Sequence, residues 1–267
     1  MSIVKSIKEM FKQKPFVDAD TKAWIFDTYS WALRNLSSDI FYGETVLVLP
    51  TNDFFPDKSS DSEELSLLIF ERVKKYAGMD GWECELLSQE QDVNPVVSPT
   101  VVIHNSPKGP AGTFSIQKDD LNKNKATITY NQNQVKNPQM LIATFAHELS
   151  HYLGATIVEF PPGGEEAWEP ATDLIAVFIG YGLFLANTAF TSEAFTGIDS
   201  QGWSTQTQGY LSENDLIYAI SIFCILKKIS ISSVEPHLKK SLRSGFKKAM
   251  KEISKNKDDM EKLRSIK

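Results

Sequence analysis

The apolar residues near the start of the chain recur with a helical period. Between residues 21 and 36 they lie three or four positions apart, which predicts an amphipathic helix. A second helix is predicted from residue 62 to about residue 77, with Ser62 as its cap and apolar residues along one face. Between the two, the apolar run at residues 45–49 ends at Pro50 and predicts a short strand.

The middle of the chain contains short segments that are typical of β-structure. Strands are predicted at residues 82–87, 101–103, 113–117 and 126–131. A polar loop separates the last two, which favours a β-hairpin. Asn137 as N-cap and Pro138 at the first helical position then open a helix that continues through Leu153 and ends at Gly154.

Beyond residue 137 the pattern predicts only helices and loops. The breaker at residues 161–164 (PPGG) precedes a helix that runs from about residue 167 to about residue 187. The polar segment 191–209 predicts an unusually long loop, and loops of that length are often functional. Ser212 and Asp215 cap a further helix through Lys228, and Pro236 is expected to start a final amphipathic helix.

This order of elements predicts an α+β fold. Strands and helices mix up to residue 131, and helices alone follow from residue 137. A boundary near residue 100 would separate an N-terminal α/β part, residues 1–100, from residues 101–267, which hold a small sheet and a mainly helical C-terminal half. Because no Gly/Ser-rich linker marks this boundary, a single continuous domain stays open.

Composition and charge narrow the class of protein. A hydrophobic content of 42% can fill a core, and a net charge of -6 with pI 5.4 argues against a nucleic-acid partner. Cys84 and Cys224 are far apart and predict reduced thiols, and the N-terminus lacks the apolar core of a signal peptide. Cytoplasmic location follows as the expectation. The uncharged run 174–190 contains two glycines and lacks basic anchors, which favours a buried helix and no membrane span.

His147, Glu148 and His151 form the pattern H-E-x-x-H on the helix predicted to begin at Pro138. Histidines four positions apart lie on one helix face, so both imidazoles can reach one zinc ion. Glu148 is rotated away from the ligand set and is placed to activate water as a general base. The alternative is a pair of core histidines that hydrogen-bond to backbone carbonyls.

A third ligand must follow, and three carboxylates compete for this place. Glu165 and Glu166 lie close to Gly163 and Gly164, in a stretch expected to be solvated loop. Glu169 has Asp173 four residues later, so both would lie on one helix face. Glu169 is therefore the expected ligand, although Pro170 leaves a role for it as a helix cap open.

With Glu169 and Asp173 in the form E-x-x-x-D, the chain resembles the gluzincin zinc metallopeptidases, the thermolysin-like and M1 aminopeptidase-like group. The resemblance covers about residues 126–190 and extends to an uncharacterised group of bacterial HExxH proteins. It implies a zincin-like catalytic part in residues 101–267, Glu169 as third zinc ligand, and a hydrogen bond from His147 to Asp173. The spacing between His151 and Glu169 is one residue shorter than in the M1 pattern, and the M1 motif G-x-M-E-N is absent.

The resemblance also implies a reaction. Zinc would acidify a water that Glu148 deprotonates, and the water would attack a peptide carbonyl. Glu148 would then protonate the amine that leaves as the C–N bond breaks. The strand at residues 126–131 resembles the edge strand on which gluzincins hold an extended peptide, and a plain core strand is the alternative. Tyr210 is the expected oxyanion stabiliser, with Tyr181, Tyr218 and His237 as competitors. His104 is expected to be structural or exposed.

The leading functional hypothesis is thus a zinc-dependent metallopeptidase that acts on a peptide or protein substrate. A zinc-binding module that binds a partner without turnover would share the metal site and lack an open cleft or an oxyanion donor. Hydrolysis of a non-peptide amide or ester would use the same zinc and the same base.

Overall fold

The helices carry most of the chain. The computed structural model describes residues 15–89, 96–98, 101–102, 111–118, 124–196, 201–207 and 209–267. Its α-helices are α1 (Ala19–Asn35), α2 (Ser38–Gly43), α3 (Ser62–Tyr76), α4 (Pro138–Gly154), α5 (Trp168–Ala176), α6 (Gly182–Thr188), α7 (Glu213–Leu226), α8 (Ile231–Val234), α9 (Lys240–Ile253) and α10 (Lys257–Ser265). Together with a small sheet they confirm the predicted α+β class.

The described β-structure consists of a three-stranded mixed sheet and two two-stranded sheets. The strands are β1 (Cys84–Ser88), β2 (Val96–Ser98), β3 (Val101–Val102), β4 (Gly112–Lys118), β5 (Asn124–Tyr130), β6 (Phe190–Thr196) and β7 (Gln201–Thr207). The three-stranded sheet has the order β1-β5-β4, with β1 parallel and β4 antiparallel to β5, and the two-stranded sheets pair β2 with β3 and β6 with β7. The predicted hairpin of β4 and β5 is confirmed. The comparison of residues 126–131 with an edge strand is wrong, because β5 is the middle strand; among the described strands, β4 forms an edge.

Helix α4 packs between the sheet and α3. Its N-terminus is capped as predicted by Asn137, whose side chain accepts a hydrogen bond from the Met140 amide. In its first half the ring of Phe145 meets Tyr130 of β5 at 5.5 Å on one side and Phe70 of α3 at 5.1 Å on the other. Because both faces are covered, the helix has little freedom to shift.

The long apolar run after Trp168 forms a kinked path through the core. A π-helical turn, Val177–Tyr181, joins α5 to α6, and Gly180 has φ 102° there. Residues 45–49 form no strand, contrary to the prediction, because they lie as an extended segment against this kink. The Val48 amide donates to the Gly180 carbonyl at 3.0 Å, so the segment finds its partner on a helix and not on a sheet.

The helical run Glu165–Thr188 has the length and apolar composition of a membrane span. Its apolar window is, however, 100% buried inside the molecule, as in the core helix of a water-soluble protein. This burial is compatible with a protein that stays in water. The cytoplasmic location stays a prediction.

Two further expectations for the C-terminal half are wrong. Within segment 191–209 the structure has the antiparallel strands β6 and β7, which pair from Phe190 with Thr207 to Thr196 with Gln201. The final helix does not start at Pro236, which lies in the 3-10 turn Glu235–His237; α9 begins at Lys240 and α10 follows it. Ser212 and Asp215 do form the predicted capping box of α7.

Candidate metal centre

His147 and His151 lie on the face of α4 that packs against α5. The rings of His147 and His151 lie 4.8 Å apart in an edge arrangement, and their Nε2 atoms are 3.2 Å apart. Spacing by four residues produces this approach, since it places the two side chains one helical turn apart. The two rings therefore aim their outer nitrogens at one point.

Glu169, in the first turn of α5, supplies a carboxylate to the same point. Its Oε2 lies 3.5 Å from His147 Nε2 and 3.3 Å from His151 Nε2. This oxygen is buried and has no hydrogen-bond partner among the described residues, although 43% of the side chain is exposed. Glu165 and Glu166 are exposed in the preceding 3-10 turn, and the cap position of α5 is Ala167.

The three donor atoms fit a metal ion. A tetrahedral ion with bonds of about 2.0–2.1 Å holds its ligand atoms about 3.3–3.4 Å apart. The observed separations of 3.2, 3.3 and 3.5 Å agree with that spacing. Two imidazole nitrogens and a buried carboxylate oxygen that has no hydrogen-bond partner among the described residues are also a donor set that suits a cation. His147, His151 and Glu169 thus form a group that could hold a metal ion.

The inner nitrogens of both imidazoles have partners that fix the orientation of each ring. His147 Nδ1 donates to Asp173 Oδ1 at 2.8 Å, and Asp173 is 2% exposed. His151 Nδ1 lies 3.4 Å from Thr172 Oγ1, whose hydroxyl donates to the Trp168 carbonyl. With the protons on Nδ1, the Nε2 lone pairs are left free for a metal.

The electrostatics of the ligand group show how strongly it attracts positive charge. Burial lowers the pKa of His147, but its interactions with Asp173 and Glu169 outweigh burial and raise that pKa to about 10. Burial, and then the neighbouring His147, lower the pKa of His151. The interaction with His147 is the main cause that lowers the pKa of Glu169. The carboxylates around His147 therefore favour a positive charge at this point of the site.

Glu148 is buried next to the ligands, between α4 and the start of β4. It is 5% exposed, and burial is the main cause that raises the pKa of its carboxyl to about 7. A Cβ placed on Gly112 of β4 would lie 3.0 Å from Glu148 Cγ and 2.7 Å from the Thr129 carbonyl. The glycine therefore lets β4 approach the helix closely at the position of Glu148.

Tyr210 lies beside the ligands at the end of the segment that precedes α7. Its ring stacks on His147 with centroids 5.9 Å apart and planes 18° apart, and it is 61% exposed. Burial, and then Glu169, raise the pKa of its phenol. The competitors lie elsewhere: Tyr181 donates to the Val73 carbonyl in the core, and the Tyr218 hydroxyl pairs with Glu252. His237 lies in the 3-10 turn before α9, and His104 is outside the described residues.

Sequence reasoning missed the groups that surround the ligands. Phe114 of β4 stacks in parallel with His151 at 6.5 Å, and it also packs on Tyr152 at 5.3 Å. Thr172, next to Asp173, carried a weak signal, because a residue adjacent to a predicted ligand partner lies in the same helical turn. Phe114 carried none, since only the pairing of β4 with β5 brings it to α4.

The fold and the site together define an α+β chain with a candidate metal centre between two helices. Comparisons with the sequence profiles of known families, with curated proteins and with solved structures found no match.

Proposed function

We propose that this chain is a zinc-dependent hydrolase, and that it is a metallopeptidase with a gluzincin-like site. One observation carries the proposal: His147 Nε2, His151 Nε2 and Glu169 Oε2 converge at separations of 3.2 to 3.5 Å. Three protein ligands and one open position are typical of catalytic zinc, whereas structural zinc sites use four protein ligands.

The donor atoms favour zinc over other common ions. Calcium and magnesium prefer oxygen ligands, and two of the three donors here are imidazole nitrogens. Imidazole with carboxylate also suits iron, cobalt and nickel. Zinc is chosen because the separations of the three donor atoms agree with those in a tetrahedral zinc site. When bound, zinc would polarise a carbonyl and acidify a water molecule.

The chain's own residues supply the remaining chemistry. Glu148 has a pKa of about 7, near the value that suits a group that accepts and returns a proton at neutral pH. Tyr210, 61% exposed beside His147, can donate its phenolic proton to a developing oxyanion. Asp173 and Thr172 hold the two imidazoles in orientation.

The position of β4 supports an extended peptide as the substrate. In the part of the chain that the structure describes, β4 pairs only with β5, so its outer edge keeps backbone groups for another strand. Its first residues run past Glu148 and its Phe114 stacks on His151. A peptide added to this edge would bring its carbonyls along the metal centre.

Metal analysis and a cleavage assay on purified protein test the proposal. We expect one zinc per chain, cleavage of unfolded casein that stops with chelator, and a Glu148→Gln variant that keeps zinc while turnover falls by about 100-fold or more. Glu165→Gln, an exposed neighbour, is the matched control and should behave as wild type. Zinc without any turnover in wild type would favour a silent zinc-binding module, and hydrolysis of esters alone would exclude a peptidase.

A further inference from the structure

The carboxylate of Asp173 has a second set of partners besides His147. Its Oδ1 accepts from His147 Nδ1, while its Oδ2 accepts from two consecutive backbone amides, Tyr210 at 2.6 Å and Leu211 at 2.9 Å. Asp173 is 2% exposed, so these bonds are made away from water, where hydrogen bonds to a charged group are strong. One buried carboxylate therefore joins a metal-ligand candidate to a segment far along the chain.

The backbone of that segment is adapted to this contact. Gly209 has φ 86°, a conformation that favours glycine, and a Cβ there would lie 3.0 Å from Asp173 Oδ2 and 3.5 Å from Oδ1. On the other side, Leu211 is 8% exposed in the core and Ser212 caps α7. Asp173 thus holds the chain at the Tyr210 and Leu211 amides, and the core holds it at the Leu211 side chain, next to the point where the Tyr210 ring stacks on His147.

We infer that Asp173 is a positioning residue for two groups at once. Through Oδ1 it orients the imidazole of His147, and through Oδ2 it seats residues 209–211, which holds the Tyr210 ring against that same imidazole. Filling of the metal site and placement of Tyr210 are therefore coupled. The kinetic consequence rests on the proposed function, whereas the coupling itself does not.

Amide hydrogen exchange measured by NMR tests the coupling without any substrate. In wild type, added zinc should slow exchange at the Tyr210 and Leu211 amides, because a fixed His147 holds Asp173 in place. In Asp173→Asn and Asp173→Ala, exchange at both amides should be about 10-fold faster or more, and zinc should no longer slow it. Unchanged exchange at both amides in the Asp173 variants would overturn the inference.

Gly209→Ala separates the two functions of Asp173. The added methyl group displaces residues 209–211 from Oδ2 while leaving the bond from Oδ1 to His147. We expect fast amide exchange at Tyr210 with zinc affinity within about twofold of the control. Gly78→Ala is the matched control, because Gly78 has φ 71° and its Cβ would meet nothing within 4 Å. If Gly209→Ala and Gly78→Ala give the same amide exchange at Tyr210, the contact between residues 209–211 and Asp173 Oδ2 does not hold Tyr210 in place.

A double-mutant cycle then tests whether the contact between residues 209–211 and Asp173 affects turnover. Tyr210→Phe should lower kcat with KM nearly unchanged and with zinc retained, and Gly209→Ala should do the same. Tyr210→Phe removes the hydroxyl and Gly209→Ala displaces it, so both act through the same group and the double variant should be no slower than the slower single one. Multiplied losses in the double variant would refute the shared role. If wild type cleaves nothing, the proposed function fails while the exchange data still decide the coupling.

Discussion

At the scale of single residues, the candidate metal centre concentrates carboxylates around one imidazole. Glu169 and Asp173 contact the imidazole of His147, and Glu148 is buried beside them. In a poorly solvated place such carboxylates need a compensating positive charge or a proton. Against the effect of burial, the neighbouring carboxylates raise the pKa of His147, and burial raises the pKa of Glu148, so both groups hold a proton more tightly than usual. Binding of a cation should therefore release protons.

Glu169 is the expected third ligand, because its buried Oε2 lies between the two imidazoles. Glu169→Ala should weaken zinc binding by about 100-fold or more, because it removes one of three protein ligands. Glu166→Ala, an exposed neighbour, should bind zinc as wild type does. Competition with a chromophoric chelator measures both affinities. Equal affinity in the two variants would remove Glu169 from the ligand set.

The carboxyl of Glu148 should make the metal-free protein less stable as pH rises from about 4.5 to about 7. With its pKa raised from 4.5 to about 7, the folded state binds more protons than the unfolded state in that window, so the free energy of unfolding falls with rising pH. The loss is about 3.4 kcal/mol at most. Urea unfolding with chelator at pH 5 and pH 7.5 measures this fall in the free energy of unfolding. The fall between the two pH values should be smaller for Glu148→Gln than for wild type. An equal fall contradicts the assigned burial.

The residues that could be predicted from sequence are those whose partners lie three or four positions away. His147 and His151, like Glu169 and Asp173, share a helix face in each case, so spacing alone places them together. The bonds from Asp173 to the Tyr210 and Leu211 amides could not be predicted, because they join segments that only the tertiary fold brings together.

At the scale of elements, the kink between α5 and α6 organises the core beneath the site. The π-helical turn Val177–Tyr181 exposes the Gly180 carbonyl, which accepts the Val48 amide of the extended segment 45–49. In a straight α-helix that carbonyl would accept a hydrogen bond from an amide of the same helix. The apolar run at residues 45–49 has the composition of a strand, and its sequence contains no sign that its partner is a helix. This is why the predicted strand is wrong.

Replacement of Gly180 by alanine tests this junction. At φ 102°, a Cβ would lie 2.1 Å from the Val46 carbonyl oxygen, so either the kink or segment 45–49 must move. We expect a loss of about 2 kcal/mol or more in the free energy of unfolding, measured with urea. Gly81→Ala is the control, because nothing lies within 4 Å of its Cβ and it has no positive φ. If Gly180→Ala lowers the free energy of unfolding no more than Gly81→Ala does, the kink and segment 45–49 can rearrange at little cost.

At the scale of the whole molecule, residues on both sides of the expected boundary near residue 100 share one hydrophobic core. Buried residues from Val17 to Leu263 form a single cluster. The Tyr29 hydroxyl of α1 donates to the Ala219 carbonyl of α7, and Trp31 donates to the Glu159 carbonyl. The division into residues 1–100 and 101–267 stays a prediction, but so much shared burial favours one cooperative unit.

Zinc should stabilise that unit as a whole. The ligands come from α4 and α5, which pack in the shared core, so urea unfolding followed by tryptophan fluorescence and by circular dichroism should give one coincident transition. Free zinc at 100 times its Kd should raise the free energy of unfolding by about 2.7 kcal/mol. His151→Ala, which lacks one ligand, should show almost no rise at the same zinc concentration, and chelator should return wild type to its zinc-free midpoint. Two separate transitions, with only the second moved by zinc, would instead favour two domains and place the metal centre in one of them.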